Sequence, residues 1–449
     1  MMVVPRNRLL FWVGAVVLPF ALLGAAEPRT LPLVGLAVMG LSALACLDAL
    51  GARRGLAGIG VEVPAVNRMS KDRNAELQVR IRNAGQSAGV LRLALALPQE
   101  IQSVEEAVSV TLPAGSEWSR LPWRCRPSKR GNYRLQLACL ETPSPLGFWD
   151  ARKTVPTASE IRVYPNLLSE RRELAALFLH RGSFGLHAQR QVGKGREFEK
   201  LREYVPGDGY DEIHWKATAR RGHPITKVFQ LERTQEIYVV VDASRLSART
   251  VERPATPGDM GNSVLERFLT AALVLGLAAE QQGDLFGLLT FTNKIENFVR
   301  AKNGRAHYRA CRDALYTLEP QPVTPDYDEV FTFIRLRLRR RALLIFLTAL
   351  DDPVLAESFV RNVELIRRQH LVLVNMLPPK GVAPLFSEPD VAAVDDLYAR
   401  LGGHLRWQQL RELEQMLKRR GVGFTLLKQE RLSSQLVSQY LNVKRRQVL

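Results

Sequence analysis

From residue 236 onward the chain alternates between short apolar runs and longer segments with helical spacing. Ile237 to Val241 is an apolar, mostly β-branched run, which is typical of a strand buried on both faces of a parallel sheet. The predicted strands are Ile237–Val241, Leu285–Phe291, Ala342–Leu347, Leu371–Met376 and Val422–Leu427. The predicted helices are Ser263–Gln282, Arg305–Leu318, Asp326–Arg340, Val354–Gln369, Leu405–Arg420 and one from Leu432. This alternation predicts an α/β domain over residues 236–449, a doubly wound sheet with helices on both faces.

Residues 58–165 show a different period. Apolar residues alternate with polar ones, as in Leu77, Val79 and Ile81, and turn signals such as Lys129-Arg130-Gly131 separate the runs. Short alternating strands of this kind predict an all-β, Ig-like sandwich. We find no catalytic or metal-binding pattern in this stretch, so its predicted role is that of a spacer or an interaction platform.

Two segments near the start carry no charge, Leu9–Ala26 and Thr30–Leu47. A helix of about 20 apolar residues crosses a bilayer, so we predict a two-helix transmembrane anchor over residues 1–55. Basic residues flank it at Arg6, Arg8, Arg53 and Arg54, which places both ends in the cytoplasm. The alternative is a signal peptide cleaved after Gly24-Ala25-Ala26. Both interpretations leave the soluble domains in the cytoplasm.

The formal net charge is +18, from 63 Lys and Arg against 45 Asp and Glu. An anionic lipid bilayer, a nucleic acid or an acidic protein would each be attracted to it. We find no nucleic-acid-binding motif, so we favour the bilayer and expect no nucleic acid partner. The four cysteines have neither metal-ligand spacing nor a disulfide pattern.

The segment Gly195 to Arg221 is the most distinctive part of the chain. It predicts a helix, a Pro206-Gly207-Asp208-Gly209 turn and a second helix, Glu212–Arg221, capped by Asp211. Together with Asp242 and Ser244 at the end of the following strand, it closely resembles the signature of the bacterial domain-of-unknown-function 58 family. The loop Pro143–Trp149 and the strand end Val163–Asn166 also match that family.

The resemblance implies several properties. Residues 166–235 would be a connector leading into a von Willebrand factor A-like domain. The protein would be bound to the bacterial inner (plasma) membrane and would bind a MoxR-type AAA+ ATPase. We therefore expect a membrane-anchored scaffold that acts in the assembly or maturation of other proteins, and not an enzyme.

The connector has two interpretations. It is either a basic and aromatic surface for an acidic partner, or a structural clasp with Trp215 buried, and we favour the clasp. The candidate partner-binding residues are Asp208, His214, Trp215, Lys216, Arg220, Arg337, Arg339 and Arg340. A catalytic role for His214 has little support, because no nucleophile motif and no second histidine at metal spacing accompanies it.

Von Willebrand factor A domains bind Mg²⁺ at the carboxyl end of the sheet, through an Asp-x-Ser-x-Ser motif, a threonine and a further aspartate. Here Asp242, Ser244 and Thr324 match, while Leu246 and Ala349 replace two ligands. We expect no cofactor, with Mg²⁺ held weakly at most; the alternative is that Asp242 and Ser244 cap the next loop. A cation-dependent adhesion module and a hydrolase remain as alternative functions.

Overall fold

A computed structural model divides the chain into two units, Met1–Asn166 and Leu167–Leu449. The structure describes residues 1–26, 31–86, 88–180, 192–206, 209–230, 235–251, 262–385, 387, 394–428 and 431–446. The predicted turn residues Gly207 and Asp208 therefore lie outside the described residues.

The first unit begins with a short strand and two apolar helices. They are β1 (Met2–Pro5), α1 (Asn7–Ala26) and α2 (Leu31–Gly55). Pro32–Gly55 is long and apolar enough to cross a membrane, with a mean hydropathy of 2.1, whereas Asn7–Leu22 is a shorter apolar helix. The apolar residues of both helices are largely exposed, because few of them contact the rest of the unit.

The rest of this unit is β-structure in two sheets. The strands are β2 (Ile59–Glu62), β3 (Val66–Ser70), β4 (Ala75–Asn83), β5 (Gly89–Leu95), β6 (Ile101–Ser103), β7 (Val108–Leu112), β8 (Trp118–Pro127), β9 (Gly131–Pro143) and β10 (Trp149–Tyr164). One sheet has the order β1-β10-β9-β5-β7 with β3 beside β10, and the other has the order β2-β4-β8-β6. One hydrophobic core takes side chains from both sheets, including Leu77, Val79 and Ile81 of β4. The period of two seen in the sequence thus separates the core face of each strand from its solvent face.

The second unit is built on a six-stranded sheet. Its strands are β13 (Glu236–Asp242), β14 (Leu285–Phe291), β15 (Ile295–Lys302), β16 (Ala342–Leu347), β17 (Leu371–Met376) and β18 (Gly423–Leu426), in the order β15-β14-β13-β16-β17-β18. All neighbours are parallel except β14 and β15. The side chains of β13 are divided between two hydrophobic cores, with Val239 in one and Val240 in the other. Burial on both faces is why this strand is a continuous apolar run.

The helices of the second unit are α3 (Leu168–His180), α4 (Trp215–Arg221), α5 (Val264–Gln281), α6 (Arg305–Leu315), α7 (Tyr327–Arg337), α8 (Pro353–Val363), α9 (Val394–Arg419) and α10 (Leu432–Arg446). Ser263 caps α5, and its side chain accepts the backbone N–H of Glu266. The helix predicted to reach Arg340 ends at Arg337, because the chain must extend before β16 begins at Ala342. The strand β15 was missed, since only one of its residues is buried and its apolar pattern is weak.

A two-stranded sheet corrects one prediction for the connector. The segment before Pro206, predicted to be a helix, is the strand β11 (Val192–Glu203), which pairs antiparallel with β12 (Ile225–Gln230). Glu203 and Ile225 are partners in this register. Pairing with a strand more than twenty residues later supplies ladder hydrogen bonds that local helix propensity cannot reveal.

A buried carboxylate fastens the last helix to the sheet. Asp284, 1% exposed, immediately precedes β14. Its Oδ1 accepts the backbone N–H of Gln235 at 3.1 Å, and its Oδ2 accepts the ammonium of Lys444 at 2.7 Å. The hydroxyl of Tyr440 also donates to Oδ2. The amino ends of β13 and β14 are thereby tied to α10.

We expect Asp284→Ala to lower the free energy of unfolding by about 3 kcal/mol, because it leaves a buried hydroxyl and a backbone N–H without their acceptor. Tyr440→Phe removes one donor and keeps the ring, so it should cost about 1 kcal/mol. Urea unfolding followed by circular dichroism measures both. Equal losses in the two variants would show that packing, and not the carboxylate, holds α10.

Candidate functional site

The candidate metal site lies where β13 ends. Asp242 is completely buried, and its two oxygens are already occupied by protein donors. Oδ1 accepts the backbone N–H of Ser244 at 2.8 Å, and Oδ2 accepts the hydroxyl of Thr348 at 2.6 Å. The Thr348 hydroxyl in turn lies 2.8 Å from the hydroxyl of Tyr327. We call Asp242, Ser244, Thr348 and Tyr327 the carboxyl-end network.

Burial controls the protonation of this network. Loss of water raises the pKa of Asp242 above its ordinary value, while hydrogen bonds from Thr348 and Ser244 partly oppose the rise. Burial also raises the pKa of Tyr327 well above its usual range, and the neighbouring charge of Asp242 adds to that effect. The network is therefore a dry set of hydrogen bonds between β13, α7 and the end of β16.

The remaining predicted ligand, Thr324, and two aspartates that follow β16 have partners of their own. The hydroxyl of Thr324 accepts from Nε of Arg245 at 3.4 Å, and Asp351 forms an ion pair with Arg249 at 2.7 Å. Asp352 accepts the backbone N–H of Val354 at 3.0 Å and so caps α8. These hydrogen bonds of Thr324, Asp351 and Asp352 do not reach the carboxyl-end network.

These residues do not fit a resident Mg²⁺. A hard cation needs six or more oxygen ligands with room for water, whereas Asp242 faces protein donors, and buried Leu246 stands where a serine ligand would be. Among the described residues, no group of three or more His, Cys, Asp or Glu could hold a metal ion. The alternative interpretation is that Asp242 and Ser244 cap the next loop. It agrees with the hydrogen bond in which Ser244 Oγ accepts the backbone N–H of Leu246 at 3.4 Å. Sequence reasoning missed Tyr327, because nothing in its local pattern places it beside Asp242.

The signature segment folds around a short helix. A 3-10 turn covers Tyr210–Glu212, and α4 follows it. His214, not Asp211, caps α4: its Nδ1 accepts the backbone N–H of Ala217 at 3.0 Å. The predicted Asp211 cap was therefore wrong. The imidazole of His214 therefore acts as a helix cap. The backbone N–H of His214 donates to the carbonyl of Ile225 at 2.8 Å.

The clasp in this segment uses residues other than the predicted one. Ile213 is buried and bridges to Thr226 of β12, and the Thr218 hydroxyl accepts the backbone N–H of Ile225 at 3.1 Å. Trp215 is 69% exposed, so the prediction that it is buried was wrong. It begins α4, while Lys216 and Arg220 are exposed on the same short helix.

The second predicted basic surface is only partly helical. Arg337 ends α7, with its guanidinium 5.8 Å from the centre of the Phe333 ring. Arg339 and Arg340 follow the helix in the loop before β16, and Arg340 lies 3.9 Å from Glu236. All three arginines are exposed.

Thr348 tests whether hydrogen bonding or packing holds the carboxyl-end network. Thr348→Val keeps the shape but removes the hydroxyl from Asp242 and Tyr327, so we expect a loss of about 2 kcal/mol in the free energy of unfolding. Thr348→Ser keeps the hydroxyl and removes a methyl group, which should cost about 1 kcal/mol. Denaturant titration compares the two. A larger loss in the serine variant would contradict the hydrogen-bond interpretation.

Asp242→Asn tests how ionisation of the buried carboxyl group makes the free energy of unfolding depend on pH. Because burial raises the pKa of Asp242 above 3.8, the folded protein holds this proton more tightly than the unfolded chain does. Its contribution to stability is complete below pH 3.8 and declines as pH rises through the raised native pKa. The asparagine variant cannot lose a proton, so its stability relative to the parent protein should increase with pH across that interval.

Unfolding curves for Asp242→Asn and the parent protein at a series of pH values, with and without millimolar Mg²⁺, measure this difference. A pH-independent difference would contradict the role of the buried charge. Stabilisation of the parent protein alone by Mg²⁺ would show that Asp242 binds the cation after all.

Comparison with known proteins agrees with the resemblance seen in the sequence. An uncharacterized protein of Mycobacterium tuberculosis and one of Mycobacterium bovis are each 26% identical to this chain over 208 residues, 45% of this chain. The match spans 60% of the length of these relatives.

Two solved structures are similar in part. An aerotolerance-related membrane protein of Bacteroides fragilis has a TM-score of 0.29 at 14% identity, covering 46% of this chain and 98% of that one. The conserved hypothetical protein BatB of Bacteroides thetaiotaomicron has a TM-score of 0.28 at 14% identity, covering 47% and 99%. Residues 200–384, which contain α4 and the carboxyl-end network, match the family model described as protein of unknown function DUF58. This match covers less than half of the 449 residues, and the resemblance to the DUF58 family lies in this segment.

Proposed function

We propose that this protein is a membrane-anchored scaffold that binds other proteins on the cytoplasmic side of the inner membrane. The main support for this proposal is that Trp215 on α4 is exposed, whereas nearby Ile213 and Ile225 are buried. Exposing a large aromatic side chain leaves apolar area in water, so a surface tryptophan next to a folded clasp favours a binding role.

The composition around Trp215 supports a protein partner with an acidic surface. Tyr210 is 78% exposed and stacks on Tyr204, with ring centroids 6.4 Å apart. Lys216 and Arg220 add exposed positive charge. Tryptophan, tyrosine and arginine are the residues most often found at the energetic centres of protein interfaces.

The partner we propose is a MoxR-type AAA+ ATPase, as the family resemblance implies, with assembly or maturation of other proteins as the outcome. A von Willebrand factor A-like fold for residues 236–449 is supported by the parallel sheet in which β13 lies between β14 and β16. In our proposal partner binding is independent of Mg²⁺, because protein donors occupy both oxygens of Asp242. The adhesion module and the hydrolase have less support for the same reason.

The proposed topology has α1 and α2 both crossing the membrane. Arg6 and Arg8 lie at the start of α1, and Arg53 and Arg54 lie in the last turn of α2. Basic residues at these two ends favour the cytoplasmic side for both, which would leave the β-rich region and the α/β unit in the cytoplasm.

Photocrosslinking in native membranes tests this function. A photoreactive amino acid at Lys216 should capture an AAA+ ATPase, and Trp215→Ala should weaken capture about 30-fold, the effect of losing about 2 kcal/mol at an interface centre. Tyr398→Ala, which removes a 67% exposed aromatic side chain from α9, is the matched control and should leave capture unchanged.

A second arm replaces Arg337, Arg339 and Arg340 by glutamate. Loss of capture in this arm alone would move the binding surface from α4 to the end of α7. Undiminished capture in both arms, or capture that requires Mg²⁺, would overturn the proposed mode of binding.

A further inference from the structure

We propose that the loop Ser144–Trp149 is a membrane-contacting element that clamps onto α2 and lies just inside the edge of the hydrocarbon core. This inference rests on the proposed membrane anchorage and adds to it a specific surface of the β-rich region. The partner is the phospholipid bilayer itself.

A buried carboxylate on α2 forms the clamp. Asp48 is almost completely buried and accepts three hydrogen bonds from the loop. The Ser144 hydroxyl donates to Oδ2 at 2.5 Å, the backbone N–H of Leu146 donates to Oδ1 at 2.8 Å, and the backbone N–H of Phe148 donates to Oδ2 at 3.1 Å. A carboxylate bound by this many donors ties helix and loop together as one rigid piece.

The same loop also contacts the base of α1. The backbone N–H of Arg6 donates to the Phe148 carbonyl at 2.9 Å, and the indole N–H of Trp149 donates to the Ala45 carbonyl on α2 at 2.8 Å. Gly147 has a φ of +75°, and a Cβ there would lie 3.3 Å from the guanidinium of Arg8. A side chain at this position would be strained and crowded, which accounts for the glycine.

Helix length sets the level of the loop in the bilayer. From the start of α2 at Leu31 to Leu44, just before the first loop contact at Ala45, the helix is about 14 residues and so about 21 Å long. The hydrocarbon core is about 30 Å thick and needs about 20 residues. If the hydrocarbon core ended before the loop contacts, the part of α2 inside it would therefore be too short to cross the bilayer. The contact zone from Ala45 to Asp48 must lie within the membrane boundary.

The outer surface at this level is suited to lipid. Leu146 in the loop is 46% exposed, and Leu47, next to Asp48, and Leu50 are exposed on α2. They continue the apolar surface of Pro32–Gly55, while Arg6, Arg8, Arg53 and Arg54 supply positive charge for phosphate groups. This continuity favours lipid over a second protein as the occupant.

The clamp also explains an acidic residue in an apolar helix. A carboxylate within a membrane helix is costly, by about 3 kcal/mol at the centre, unless protein groups satisfy it. The loop donors occupy both oxygens of Asp48 and shield them, so that lipid can surround the opposite face of α2.

Spin labelling of the full-length protein in vesicles of phosphatidylcholine and phosphatidylglycerol tests the inference. Cys46 and Cys139 are exposed and are first replaced by alanine. Cys125 and Cys311 can remain, because burial raises their pKa to about 11 and about 12 and keeps them as unreactive thiols. Labels are then placed by Leu146→Cys, by Leu36→Cys on the exposed face of α2, and by Leu137→Cys as the matched control.

Leu137 is 42% exposed and lies on β9, about six residues and about 20 Å along the strand from Pro143. We expect the labels at 146 and 36 to collide more with oxygen than with a water-soluble nickel complex, and the label at 137 to show the reverse ratio. Asp48→Leu, which keeps the helix apolar but removes every acceptor of the clamp, should increase the mobility of the label at 146 and reverse its ratio. Asp48→Asn should change both less.

Three results would overturn the inference. A water-exposed label at 146 together with a lipid-exposed label at 36 would reject the loop contact while keeping the anchorage. A label at 146 protected from both reagents would indicate a protein contact. A water-exposed label at 36 would reject the anchorage and the inference together.

Discussion

The closed hydrogen bonding of Asp242 is the constraint on which the α/β unit depends. A carboxylate at the end of the central strand can be held by a cation or by protein donors, and here Ser244 and Thr348 occupy it. Thr348 also contacts Tyr327, so the end of β16 and the start of α7 are fixed relative to β13. At this end of the sheet the protein's own donors therefore occupy both oxygens of Asp242.

A second feature of the α/β unit is the connector segment around α4, away from the edge of the six-stranded sheet. The clasp around α4 buries Ile213 and Ile225 while it presents Trp215 and two basic side chains to solvent. The imidazole of His214 is used as a helix cap. Under the proposed function this segment would be pre-organised for binding, since a firmly held backbone loses little conformational entropy when a partner binds.

In the first unit, too, protein donors occupy both oxygens of a buried carboxylate. Asp48 would be costly in an apolar helix, but the loop Ser144–Trp149 satisfies both of its oxygens. Polar contacts thus join an apolar helix to a β-rich region with no intervening flexible linker, since β2 begins at Ile59, soon after α2 ends at Gly55.

Elements with strong periodicity can be located from the sequence alone. Three strands of the α/β unit, Leu285–Phe291, Ala342–Leu347 and Leu371–Met376, have the predicted bounds, because strands buried on both faces must be apolar throughout. The DUF58 segment was also recognisable from its residues. Local pattern could not predict two features of the connector: β11 is a strand because β12 pairs with it, and Ile213 rather than Trp215 is buried in the clasp. Likewise Asp242 meets Thr348, 106 residues later, only because the parallel strands β13 and β16 bring their carboxyl ends to the same edge of the sheet. Tyr327 reaches Thr348 from the start of α7.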